Sequence, residues 1–156
     1  MNNRETNHEL IAKLNGLIAV CKDAEKDYRG AGDEIGNPDL RTLFHMYAQQ
    51  RAHFAAELFN EVLRHGGQPS ETGHVMASIH RGVMHALAAM GHGGERPIVE
   101  ACEKTERASM AEYEAVLKQD LPADVLAIVQ EQYAELGHAH ETVMGLVKAA
   151  ELQSSR

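Results

Sequence analysis

Tryptophan is absent from this chain, and aromatic residues are scarce at 4% of the total. Alanine, leucine, glutamate and histidine are frequent instead, a mix that favours helices packed on helices over a sheet. No basic stretch exists to neutralise phosphates, and the formal net charge is −8, so nucleic acid is not an expected partner. No apolar run approaches the length of a membrane span, and Met1-Asn2-Asn3-Arg4 lacks the apolar core of a signal peptide. The expected setting is soluble and cytoplasmic, away from a membrane. Only two cysteines occur, Cys21 and Cys102, each inside an apolar helical pattern. They read as small core residues rather than as a disulfide or a redox pair.

A chain of 156 residues fits one domain and can bury a real core. Residues 1–156 are therefore read as a single four-helix-bundle domain. Thr6 and Glu9 are spaced as a capping box, and Leu10, Leu14, Leu17, Cys21, Ala24 and Tyr28 then step by three and four. This predicts a first helix over about 6–35, stopped by Gly36. Asn37-Pro38 restarts the chain as N-cap and first helical residue. A second helix over 38–65 carries Leu40, Phe44, Tyr47, Phe54, Leu58 and Val62 and ends at Gly66-Gly67. Helical spacing predicts a short extra helix around Val75–Met90, inside a long crossover over 66–96. A third helix over 97–119 and a fourth over 122–150 meet at Asp120-Leu121-Pro122. Four long helices, two short turns and one long crossover between helices two and three match an all-α, ferritin-like four-helix bundle.

Ten histidines are many for such a chain, and five of them (His65, His74, His80, His85 and His92) cluster at the end of helix two and in the crossover. Imidazoles sit readily at surfaces, so each reads first as a solvated side chain. A nucleophile-plus-base pair, a phosphate-cradling glycine loop and a dinucleotide fingerprint are all missing, so the chain leans towards a non-enzymatic protein.

The most informative residues are polar ones on apolar stripes. Successive residues of a helix turn by about 100°. On that wheel Glu25, Arg51, Glu106 and Gln132 each fall on the apolar arc of a different helix. Reflecting the helices about their short turns puts them at similar height, so that two carboxylates flank one guanidinium and Gln132 completes the set. A carboxylate buried alone is costly, and Arg51 can meet both acids with its planar fork of donors. This predicts a structural polar layer with no cofactor. A metal reading stands beside it, with iron or zinc held by Glu25, Glu103, Glu106 and His140. The carboxylate-bridged di-metal pattern is incomplete, however. Its literal helix-four match, Glu135-Leu136-Gly137-His138, has His138 pointing outward, and Arg51 would repel a metal in the same layer. His53 with Glu57 reads as a helix-surface pair. The four tyrosines (Tyr28, Tyr47, Tyr113 and Tyr133) read as core rings with hydrogen-bonded hydroxyls.

Several of these residues also carry a resemblance. Leu17-Ile18, Cys21-Lys22-Asp23, Glu25, Gln50-Arg51, Phe54, Glu57-Leu58 and Gly66-Gly67 resemble a bacterial family of uncharacterised four-helix-bundle proteins. The likeness continues through His80-Arg81-Gly82, Glu103, Glu106, Tyr113, Leu121-Pro122, Gln132 and His140. It implies a ferritin-like fold, an association with stress, and no established activity. Lys104-Thr105 departs from that pattern, which leads one to expect an Arg-like residue and then Gly before Glu106. Three functions follow as expectations: a non-enzymatic bundle fixed by its buried layer, a metal-binding bundle, and a homo-oligomeric scaffold.

Overall fold

The computed structural model describes residues 3–70 and 94–154, with the backbone alone for 3–5 and 154. The expected crossover helix, His74, His80, His85 and His92 lie outside the described residues. Four α-helices are described: α1 (Asn3–Glu34), α2 (Pro38–Arg64), α3 (Glu95–Leu117) and α4 (Ala123–Ser154). They form an all-α four-helix bundle. Each long apolar stripe needs another stripe to cover it, and packing four around one core meets that need.

The turns follow from local chemistry. Asn37 caps α2, its side-chain oxygen accepting from the backbone N–H of Asp39 at 2.9 Å and of Leu40 at 3.2 Å. Pro38 occupies the first turn, where its missing N–H costs nothing. α2 closes at Gly66, which adopts φ +79°, with Gly66 N–H on the Leu63 carbonyl at 3.0 Å and Gly67 N–H on that of Val62 at 2.9 Å. This is a Schellman closure, and the left-handed backbone favours glycine there. One expected start differs. Thr6 lies inside α1, which begins at Asn3, because Arg4 and Glu5 are good helix formers and extend the helix past the expected capping box.

Helix directions come from the contacts. α1 packs on α2 and on α3, α4 packs on α3 and, much more openly, on α2. Tyr28 meets Glu106 and Cys21 meets Tyr113, so α1 and α3 run antiparallel. Arg64 faces Asp124 while Gln50 reaches Glu135, so α2 and α4 are antiparallel too. α2 and α3 therefore run in the same direction along one diagonal of the bundle. α2 ends beside the start of α4, whereas α3 starts at the opposite end beside Asn37, a helix length of roughly 40 Å away. Beyond α2 the chain lies along α1. Asn7 holds the His65 carbonyl at 2.8 Å, and Asn15 holds the Gln68 carbonyl at 2.9 Å and the Ser70 N–H at 2.8 Å. Gly67 sits so close to Ile11 that an added Cβ would come within 2.6 Å of its side chain.

The apolar interior falls into two halves. Leu14, Leu17, Leu58, Val62, Val125 and Val129 belong to the half nearer the α3–α4 turn. Tyr28, Ile35, Phe44, Ile98, Val99 and Val143 belong to the half nearer the α1–α2 turn. Arg51 and Glu106 lie between them. Among the described residues no helix is long and apolar enough to cross a membrane.

Candidate functional site: a buried ionic contact across the bundle

Arg51 projects from α2 and Glu106 from α3, the two helices on the diagonal, and they meet at the centre with both side chains at 0% exposure. Arg51 Nη2 donates to Glu106 Oε1. Tyr28 of α1 donates its hydroxyl to the same carboxylate oxygen at 2.7 Å. Three helices thus converge on one atom. The guanidinium is further accommodated by aromatic faces, lying 5.4 Å from the centroid of Tyr28 and 6.0 Å from that of Phe54. Its Nε donates to the neighbouring Gln50 Oε1 at 3.2 Å. Since Arg51 and Tyr28 both use Oε1, the contact is not the two-bond fork usual for Arg and carboxylate. Arg51 Nη1 and Glu106 Oε2 find no hydrogen-bond partner among the described residues.

The electrostatics follow from burial and proximity. Burial works against the Arg51 cation, but the facing Glu106 carboxylate prevails and holds Arg51 above the ordinary arginine range. Burial first, and the adjacent Glu106 second, push the Tyr28 hydroxyl well above the usual tyrosine range. It stays protonated and remains a donor. A charge moved from water into this interior is strongly disfavoured unless its counter-charge comes with it.

Gln132 belongs to a second polar cluster in the half nearer the α3–α4 turn. Its side-chain oxygen accepts from Tyr113 OH at 2.6 Å, and its nitrogen donates to the Phe54 carbonyl at 3.3 Å and to Glu57 at 3.2 Å. Cys21 Sγ lies 3.1 Å from the same Tyr113 hydroxyl. Burial pushes the Cys21 thiol up to about 11, against the lowering effect of that hydrogen bond. Cys102, also a free buried thiol, is raised by burial and then by nearby Asp27.

The structure brings together two of the four residues expected in one layer. Glu25 does not reach Arg51; it is 21% exposed and pairs with Arg29, one turn on, at 2.8 Å. Three residues separate it from Tyr28, which puts it about 60° round α1. Tyr28 holds the centre of the stripe and Glu25 its edge. The expected metal set is likewise divided. Glu103 and His140 do meet, at 3.3 Å, with Arg107 on the other Glu103 oxygen at 3.3 Å. Glu106 is sealed in the core and Glu25 is held by Arg29, so the four do not converge on one point. His53 and Glu57 lie 3.5 Å apart on the surface of α2.

Other buried polar groups carried no clear signal in the sequence. Thr105 donates to Asp27 at 3.0 Å between α3 and α1. This hydroxyl stands where the resemblance led to an expectation of glycine. Glu61 is buried near the end of α2. The pattern of Lys26-Asp27 and Asn60-Glu61 reads as ordinary polar surface, and only packing draws Asp27 and Glu61 in.

The family model described as Domain of unknown function (DUF2383) matches residues 9–119. The chain belongs to this family. The match runs through α1, α2 and α3 and includes Tyr28, Arg51 and Glu106; it ends before α4, so Gln132 and His140 lie beyond it. No curated protein matches the chain.

Proposed function

We propose that the chain is a non-enzymatic, ferritin-like bundle in which the Arg51–Glu106–Tyr28 contact is architectural. One observation carries this reading: all three side chains are 0% exposed, with Arg51 and Glu106 between two apolar halves and Tyr28 at the edge of one of them. The contact supplies specificity by fixing height and rotation. A bundle held only by apolar stripes can slide by a turn, whereas a guanidinium must meet its carboxylate. The ferritin-like assignment is supported by the parallel α2–α3 diagonal and by the return of residues 65–70 along α1.

The test is a double replacement, Arg51→Met with Glu106→Leu, which swaps the ionic contact for apolar side chains. The architectural reading expects a folded protein with a Tm near that of the native chain. It also expects an unchanged metal content by elemental analysis after purification without chelators. A folded double variant that has lost stoichiometric metal would contradict it.

A further inference from the structure

We propose a divalent transition-metal site at the end of the bundle, formed by Glu61 of α2's last turn, His65 at the α2 C-cap and Asp124 of α4's first turn. Glu61 and His65 are four residues apart, so both project from one face. The α2 closure fixes the His65 backbone, since its N–H bonds the Glu61 carbonyl at 3.1 Å and its carbonyl accepts from Asn7. His65 Nε2 lies 3.9 Å from Glu61 Oε2 and 3.7 Å from Asp124 Oδ2. One atom from each residue falls within 4.8 Å of the others. Tetrahedral zinc with bonds near 2.0–2.1 Å places its ligand atoms about 3.4 Å apart, so a small side-chain adjustment brings these three into range.

The second observation is independent of the clustering. The Glu61 side chain is 5% exposed, and its Oε2, like the buried His65 Nε2, has no hydrogen-bond partner among the described residues. Both atoms point into the same space, which Asp124 completes. A buried carboxylate oxygen without a donor is unfavourable, and a cation there would relieve it. One imidazole and two carboxylates form a mixed nitrogen–oxygen set suited to zinc or ferrous iron, with a position left for solvent.

Arg64 is the competing cation. Its Nη1 lies 2.7 Å from Glu61 Oε1 and its Nη2 lies 3.6 Å from Asp124 Oδ2. It occupies Oε1 rather than Oε2, and at 62% exposure it is free to swing aside. The site joins α2 to α4, the adjacent pair in loosest contact, so a bound ion would act as a clasp across the open seam. It lies away from Glu103 and His140 and shares no residue with the central contact.

The experiment is zinc titration of untagged, chelator-treated protein by calorimetry, with thermal melts in parallel. One zinc per chain and a raised Tm are expected. Asp124→Asn and His65→Gln, at partly exposed positions and expected to fold, should each weaken binding at least tenfold and abolish the Tm rise. The pair Glu103→Gln with His140→Gln should leave both unchanged. Zinc binding that survives Asp124→Asn and His65→Gln, or native protein that binds none below millimolar zinc, would overturn the proposal.

Discussion

Replacing Arg51 with methionine removes the charge at the centre of the bundle while keeping a long, flexible side chain in its place. Glu106 is then left with Tyr28 as its donor, in a setting where its side chain is 0% exposed. A hydrogen bond to a charged group contributes about 1.5–3 kcal/mol, and the uncompensated burial of the acid adds to that. Removing one side of a buried ion pair costs about 3–5 kcal/mol in total. For a chain of 156 residues each kcal/mol moves Tm by roughly 2–4 °C, so Tm should fall by about 6–20 °C. Urea denaturation followed by circular dichroism gives the cleaner number, because the midpoint can be read at constant slope. A loss below about 1 kcal/mol with an unchanged slope would refute the reasoning. It would mean that Glu106 does not depend on Arg51.

Further expectations concern single contacts. Tyr28→Phe keeps the ring against Arg51 but removes the donor to Glu106, and should cost about 1.5–3 kcal/mol in urea denaturation. Asn37→Ala removes the cap of α2 and should cost about 1 kcal/mol, read as a drop of a few degrees in Tm. Alkaline pH should destabilise the fold through Cys21, whose pKa is raised from 9.0 to about 11. Below pH 9 the thiol is protonated in both states and its contribution is complete. Above it the unfolded chain loses the proton first, so stability falls by about 1.4 kcal/mol per pH unit towards pH 11. Melts from pH 8 to 11 should show this fall, with a shallower slope in Cys21→Ala; equal slopes would exclude the thiol as a source.

Much of the fold is written in local signals. The three-and-four spacing of Leu10, Leu14, Leu17 and Cys21 makes a helix stripe, and Asn37-Pro38 and Gly66-Gly67 punctuate the chain where the structure turns. Arg51 and Glu106 were legible as charges on apolar arcs, where burial requires a partner. The errors at the site have two different causes. Glu25 has the right height, within one turn of Tyr28, but the wrong angle, since the stripe centre belongs to Tyr28. Gln132 has the right face but the wrong height. It stands opposite Tyr113, seven residues from Glu106, which is about 10 Å along a helix. A two-turn shift of this size depends on how far the α3–α4 turn extends, which the wheel alone does not determine. Tyr28 was legible as a core ring, but its choice of Glu106 depends on the α1–α3 pairing, a tertiary fact. Glu61 and Asp124 come together only because α4 begins where α2 ends.

The central claim is that Arg51 and Glu106 stabilise the bundle through each other. A double-mutant cycle with Arg51→Met, Glu106→Leu and the combined variant measures that dependence directly by urea denaturation. The predicted coupling energy is about 3 kcal/mol or more, because each single change strands a charge and the double change strands none. Single losses that add to within about 0.5 kcal/mol in the double variant would contradict the account.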